Sequence, residues 1–272
     1  MKILLLTLIL FIGCATEPQD CNGDYGGDAQ SDICGICTLK SEMDNRLNNS
    51  EDMNNDGYND SEIELLFSID SLGCVETSSS VGYGYNIATN WESGYLTHLT
   101  LNNLSEIGYS FNLDNINVFD SLKSLTFSFN FYETLPDSIC DLSNLEILTL
   151  WDNSISTLPE CLGELSKLNS LTLKENKLTS LNSSIISLEA LEVLNLSNNQ
   201  FTSIPTELFS LGRLNNLHLH DNFIESIPED FCLIYPNLNS FDIFNNYICG
   251  ELPSCLTQLD IGNQNCSPPT SL

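Results

Sequence analysis

The chain is 272 residues long with 42% apolar residues, and 37 acidic against 8 basic side chains give a formal net charge of −29. So large a negative charge repels nucleic-acid phosphates and anionic lipid headgroups, which argues against either as a partner. Eleven cysteines are typical of a protein that folds in an oxidising compartment.

The first 13 residues are predicted to be a signal peptide. A basic start, Met1-Lys2, precedes the apolar run Ile3 to Ile12, which is too short to cross a bilayer core of ~30 Å as a helix. The run ends in LFIGC, which resembles the lipobox of bacterial lipoproteins, whose cysteine becomes lipid-modified and begins the mature chain. Cys14 is therefore the predicted lipidation site, although Phe11 and Ile12 depart from the usual residues, and cleavage after Ala15 is the alternative. The resemblance implies an exported bacterial protein anchored in the cell envelope, on the outer surface or in the periplasm.

Residues 14–94 are predicted to form a linker and N-terminal cap rich in Asp, Asn, Gly and Cys. Within it, DMNNDGYND places oxygen-bearing side chains at alternate positions, in phase with Gly57 where a calcium loop turns sharply. The stretch resembles the calcium loops of dockerins and thrombospondin-type repeats, which implies calcium as a cofactor. Ile63 stands where these loops carry a bidentate acid, so Glu62 or Glu64 would have to replace it, and a solvated acidic linker is the alternative. The predicted ligands are Asp52, Asn54, Asp56, Tyr58 through its carbonyl, Asp60 and Glu62.

The ten remaining cysteines are an even number that fits five disulfides. The four before the repeats allow three pairings, between which the sequence does not choose: Cys21, Cys34, Cys37 and Cys74. Four near the C-terminus are expected to seal the last repeat: Cys232, Cys249, Cys255 and Cys266. Cys140 and Cys161 lie on neighbouring outer segments, two positions out of register, and their bridging stays open.

One pattern recurs over residues 95–258. Leu122, Leu145, Leu168, Leu191 and Leu214 are spaced by 23 residues, and Leu238 follows after 24. Each opens a variant of L-x-x-L-x-L-x-x-N, and most units continue as L-P-x-x-I-x-x-L; a degenerate unit begins at Leu96. The recurring asparagines, expected to bind backbone groups where each unit turns, are Asn130, Asn153, Asn176, Asn199, Asn222 and Asn246.

Alternating apolar residues predict a short strand in each unit, and units that cannot bury this face alone must stack. The pattern is similar to that of the leucine-rich repeat family. The resemblance implies an α/β solenoid: a horseshoe with a parallel concave sheet, about seven repeats and disulfide-bearing caps. Residues 259–272 are predicted to form a C-terminal cap and tail.

The outward strand positions of the repeats align in two columns. The first contains Thr100, Thr126, Thr149, Thr172, Asn195, His218 and Asp242, and the second contains Asn102, Ser128, Trp151, Lys174, Ser197, His220 and Phe244. Neighbouring strands lie ~4.8 Å apart, so His218 is expected beside Asp242, and His220 beside Phe244. The predicted ligand-binding residues are Phe129, Trp151, Lys174, His218, His220, Asp242 and Phe244.

These residues predict a binding protein rather than an enzyme. The sequence has no nucleophile elbow, phosphate loop or H-E-x-x-H motif, whereas exposed rings are enriched at binding hot spots. The expected ligand is a protein or glycan, neutral or basic, with the membrane reached through the lipid anchor only. The alternatives are a passive envelope scaffold or adhesin, and a zinc-dependent hydrolase that uses His218, His220 and Asp242.

Overall fold

The computed structural model describes residues 86–93, 95–104 and 111–266. The chain divides into two compact units, Met1–Ser79 and Ser80–Leu272, and every described residue belongs to the second. The predicted signal peptide, Cys14, the calcium loop and the four cysteines before the repeats lie outside the described residues. Of the helices among the described residues, none is long and apolar enough to cross a membrane.

Eight strands form one sheet in which spatial order follows chain order. They are β1 (Asn86–Glu92), β2 (Tyr95–Asn102), β3 (Ser124–Thr126), β4 (Ile147–Thr149), β5 (Ser170–Thr172), β6 (Val193–Asn195), β7 (Asn216–His218) and β8 (Ser240–Asp242). Strands β2 to β8 are parallel, which confirms the predicted solenoid. The first strand, β1, pairs antiparallel with β2 and was not predicted as a strand.

The outer segments are short 3-10 helices rather than α-helices. They span Leu113–Val118, Asp137–Asp141, Glu160–Glu164, Ser183–Ser187, Thr206–Ser210, Glu229–Leu233 and Tyr235–Asn237, and a short α-helix follows at Gln258–Ile261. Four of them directly follow a proline in extended backbone: Pro136, Pro159, Pro205 and Pro228. Proline lacks an N–H and fixes φ, so it suits the position before a helix. The outer segments are 3-10 helices because units this short leave room for little more than one tight turn.

The leucines at the predicted inward positions form the core. In the unit of β7, Leu214, Leu217 and Leu219 are at most 1% exposed. The same positions are buried in the units of β4, β5 and β6, whereas in the last unit only Ile243 is buried and Leu238 and Phe241 are partly exposed. The largest buried rings are Phe111, Phe119, Phe127, Phe201 and Phe231. Stacked units therefore share one continuous apolar core, which no unit could build alone.

The recurring asparagines form a hydrogen-bonded ladder beside this core. Asn176 is representative: its amide nitrogen donates to the carbonyls of Leu150, Leu173 and Lys174, and its oxygen accepts from the backbone N–H of Ile155. All six asparagines are at most 7% exposed. The expected role in binding backbone groups is confirmed, because each amide bridges its own unit to the one before it.

Gln264 continues the asparagine ladder beyond the last repeat. Its amide nitrogen donates to the carbonyls of Ile243 and Ile261, and the N–H of Ile248 points to its oxygen at 3.4 Å. A cap residue thus satisfies backbone groups that a further repeat would otherwise cover.

In the described part of the chain, three disulfides hold the outer side and the C-terminal cap. Cys140–Cys161 joins neighbouring 3-10 helices with a Cα separation of 5.8 Å, so these two cysteines do bridge. Cys232–Cys255 and Cys249–Cys266, with Cα separations of 5.6 and 5.5 Å, tie the cap to the last repeats. All three separations are in the range that a disulfide requires.

Candidate ligand-binding face

The outward face of the sheet has the two columns that the repeat predicts. In the first, Thr100, Thr126, Thr149, Thr172, Asn195, His218 and Asp242 are consecutive partners across β2 to β8. The residues of the second column from Trp151 onward lie just past the strand ends, where hydrogen bonds such as Leu150 N–H to Thr172 O continue the ladder. The prediction is wrong for Ser128 and Ser197 of this column, which are almost fully buried rather than facing outward.

An aromatic cluster occupies the middle units of this face. The rings of Phe129 and Trp151 lie 4.7 Å apart between centroids, and Lys174 Nζ lies 4.7 Å from the Trp151 ring. Lys174 Nζ is also 3.3 Å from a carboxylate oxygen of Glu175. Phe129 has a positive φ of 61°, so it stands on the turn after β3 rather than on the strand. The cluster combines apolar area with one cation, which is suited to contact with another protein.

A second cluster lies at the C-terminal end of the same face. His218 Nδ1 lies 2.5 Å from Asp242 Oδ2, and His220 Nδ1 lies 2.6 Å from Asp221 Oδ2. The His220 ring stacks on Phe244 with centroids 4.6 Å apart and planes 4° apart. Both neighbour relations expected from the sequence are therefore present. Among the described residues, Asp242 Oδ1 has no hydrogen-bond partner and lies 3.9 Å from His220 Nε2.

The pKa values of two carboxylates on the turns after the strands, Asp221 and Asp152, are shifted in opposite directions. Burial raises the pKa of Asp221, but hydrogen bonds from His220 and Asn245 outweigh burial and leave that pKa lowered. Burial raises the pKa of Asp152, and the nearby charge of Glu175 raises it further. Asp221 is thus stabilised as a carboxylate by its neighbours, whereas Asp152 is destabilised as one.

The two imidazoles hydrogen-bond to different carboxylates. Each uses Nδ1 for a different carboxylate, His218 for Asp242 and His220 for Asp221. Within the described parts of the chain, no group of three or more His, Cys, Asp or Glu side chains is arranged to hold a metal ion. The geometry therefore gives no support to the zinc alternative.

The structure adds exposed apolar residues that the column alignment missed. Ile147 on β4 is 39% exposed on the outward face, and Phe131, Phe223 and Tyr247 are 70%, 49% and 37% exposed. These last three each follow a ladder asparagine directly, and Phe223 stacks on Tyr247 with ring planes 9° apart. A ring directly after a buried asparagine of the repeat is the sequence signal that could have identified them.

Comparison with known proteins agrees with this geometry. Residues 93–254 match the family model described as a leucine-rich repeat region. Among curated proteins, none matches the chain.

Three solved structures are similar. A leucine-rich repeat protein of Leptospira interrogans is 28% identical with a TM-score of 0.41, over 48% of this chain and 39% of that one. The ectodomain of the Arabidopsis thaliana receptor kinase GASSHO1/SCHENGEN3, in complex with Casparian strip integrity factor 2, is 23% identical with a TM-score of 0.50, over 77% and 24%. The PEPR1-AtPEP1 structure is 24% identical with a TM-score of 0.51, over 69% and 32%.

The chain thus spans well under half the length of each of these structures, and the two plant structures show the fold alone. The family match covers more than half of the chain. The protein belongs to the leucine-rich repeat family.

Proposed function

We propose that this protein is an exported, lipid-anchored binding protein that recognises a protein ligand on the outward face of its sheet. The observation that carries the proposal is the set of large rings on that face, from the half-buried Phe129 and Trp151 to Phe244, which is 37% exposed. Large rings are costly to leave in water and are enriched at the centres of protein interfaces. The fold alone leaves the ligand open, so the choice of a protein rests on these side chains.

The face also restricts the charge of the ligand. Its carboxylates include Asp152, Glu175, Asp221 and Asp242, against one lysine, Lys174, in the two clusters. The whole chain carries a net charge of −29, which repels an acidic protein, attracts a basic one and leaves a neutral one unaffected at long range.

The disulfides support the location in this proposal. Three disulfides in the described residues indicate an extracytoplasmic protein, because thiols are kept reduced in most cytosols. Lipidation of Cys14 is the further step, and it rests on the apolar run that ends there. Mass spectrometry of the native N-terminus should show a lipidated Cys14, whereas an unmodified start at Thr16 would reject the anchor.

Site-specific photocrosslinking tests the binding face without knowledge of the ligand. We would place a photoreactive phenylalanine analogue at Phe129 or Phe244 of the full-length chain, expressed in its native cells. Matched controls are Ile186 and Leu233, which are 46% and 69% exposed on the outer 3-10 helices. We expect the same discrete protein adduct from both sites on the face and none from the controls. Equal adducts from all four sites, or none from the face, would favour a passive scaffold instead.

A further inference from the structure

Four aromatic rings form two stacked pairs at the C-terminal end of the solenoid. His220 stacks on Phe244 on the outward face, and Phe223 stacks on Tyr247, with centroids 6.1 Å apart, on the adjoining rim. Both pairs join the same two neighbouring units. Phe223, Phe244 and Tyr247 are 49%, 37% and 37% exposed, so both pairs present aromatic surface to water.

Two carboxylates lie among these rings. Asp221 Oδ2 is paired with His220, and its Oδ1 accepts from the Asn245 amide at 3.0 Å. Asp242 is paired with His218. The side chains of Asp221 and Asp242 are 35% and 31% exposed, although the Oδ1 atom of Asp242 is itself buried. We call the six residues His220, Asp221, Phe223, Asp242, Phe244 and Tyr247 the terminal patch.

No lysine or arginine of the described chain pairs with the carboxylates of the terminal patch. The lysine–carboxylate pairs within 4.0 Å are elsewhere, Lys123 with Glu92 and Lys174 with Glu175. The patch therefore combines two carboxylates with exposed rings and lacks a cation of its own, on a protein with a net charge of −29.

We propose that the terminal patch binds a basic segment of the protein ligand, through arginine or lysine side chains. The proposal rests on the proposed function and adds the chemistry of the ligand and the place where it docks. A guanidinium group can donate hydrogen bonds to a carboxylate and lie against aromatic rings at the same time. The net charge of the chain adds long-range attraction for such a segment.

The charge favours a basic peptide over a neutral glycan. The carboxylates add nothing specific for a neutral sugar beyond ordinary hydrogen bonds, but they match a cation in charge.

The C-terminal cap supports the patch from behind. Gly262 has a φ of 65°, and a Cβ built on it would stand 3.0 Å from the Cβ of Phe244. The cap backbone therefore packs directly against Phe244, and the Cys249–Cys266 disulfide closes the same cap. A ring held in this way loses little conformational entropy when a ligand docks on it.

The test measures binding of a short fluorescent peptide with two arginines to the purified full-length chain, by anisotropy at physiological salt. The same peptide with citrulline in place of arginine keeps the shape and removes the charge. We expect the citrulline peptide to bind about tenfold more weakly or worse. Equal affinity of the two peptides would overturn the proposal.

Matched charge variants separate the terminal patch from the general acidity of the chain. Asp221→Asn with Asp242→Asn should weaken binding of the arginine peptide about tenfold. Glu164→Gln with Glu189→Gln removes the same charge from exposed outer positions and should change affinity less than about twofold. Phe244→Leu should weaken binding severalfold while the carboxylates remain, and thermal unfolding of each variant checks that the fold persists.

Equal losses in both double variants would mean diffuse attraction and overturn the proposal, as would tighter binding of a neutral oligosaccharide that depends on Phe244. These failures leave the proposed function intact if crosslinking from Phe129 still captures a protein. Absence of any crosslink from the face would instead reject the proposed function itself.

Discussion

The imidazole of His220 lies flat on the ring of Phe244, with the two centroids 4.6 Å apart. The separation matches the ~4.8 Å between neighbouring strands, because the two residues hold equivalent places in consecutive repeats. The repeat thus places one flat ring above another without any special local structure. Asp221, the next residue, holds the imidazole in place, because its Oδ2 lies 2.6 Å from His220 Nδ1.

The carboxylate of Asp221 should stabilise the fold in a pH-dependent way. Its pKa is lowered in the folded chain, so its contribution is complete above the unfolded carboxyl pKa and is lost as the pH falls through the lowered value. Asp221→Asn should reduce the free energy of unfolding near neutral pH by about 0.5 to 1 kcal/mol, small because a third of the side chain is exposed. Urea unfolding from neutral pH to about pH 3 should show the difference shrinking toward zero.

Asp152→Asn should change the free energy of unfolding in the opposite direction to Asp221→Asn. The pKa of Asp152 is raised by burial and by Glu175, so its ionised form destabilises the fold at neutral pH and protonation relieves this as the pH falls. The substitution should stabilise by a few tenths of a kcal/mol at neutral pH. Asparagine already occupies the equivalent turn at Asn198, also with positive φ. If both variants changed the free energy of unfolding in the same direction at neutral pH, the opposite pKa shifts assigned to Asp221 and Asp152 would be contradicted.

The asparagine ladder should be costly to interrupt. Asn176→Ala removes the acceptor of the Ile155 N–H and the donor to three carbonyls. Buried groups left without partners cost about 1 to 3 kcal/mol each, so we expect a loss of about 3 kcal/mol in urea unfolding. Asn216→Ala, at a half-exposed position of β7, should change stability by less than about 0.5 kcal/mol. Similar losses for both would show that the ladder contributes little.

The sequence predicted the placement of the face because the repeat has a fixed period. Once Leu217 is assigned to the core, His218 must face outward, and a spacing of 24 residues sets it beside Asp242. The side-chain contacts of these residues follow from that register. Most of the candidate site was therefore accessible to pattern and spacing alone.

The remaining features depend on geometry that a repeat pattern does not encode. Whether Cys140 reaches Cys161 depends on how the 3-10 helices wind and stack, which sets the 5.8 Å between their Cα atoms. Gln264 stands outside the repeat, so nothing in the spacing links it to the asparagines. Phe223 and Tyr247 lie on the turns that follow β7 and β8, so an alignment of strand positions does not include them.

The loop from Asp52 to Asp60 provides a prediction on calcium. We propose that it binds one calcium ion, because its oxygen-bearing residues and Gly57 are in the phase of a calcium loop. Calorimetry with the full-length chain should show saturable uptake that Asp56→Ala abolishes. Asp24→Ala is the control: it lies in the acidic stretch DCNGDYGGD, which has Tyr25 where a calcium loop needs glycine, and it should leave the uptake unchanged. Heats indistinguishable from buffer at about millimolar calcium would reject the site.

Trp151 provides the most direct test of the binding face, with its core neighbour Leu150 as control. Leu150 is fully buried, so Leu150→Ala should cost about 2 to 5 kcal/mol of stability. Trp151 lies half-buried on the outward face against Phe129 and Lys174. Its replacement by alanine should cost less than about 1 kcal/mol, since it leaves no internal cavity.

The decisive measurement pairs the free energy of unfolding of Trp151→Ala with its affinity for the protein captured by crosslinking. We expect nearly unchanged stability and a loss of about 2 kcal/mol in binding, which is roughly thirtyfold in Kd. A large loss of stability with unchanged affinity would contradict the account, because Trp151 would then serve the core and not the ligand.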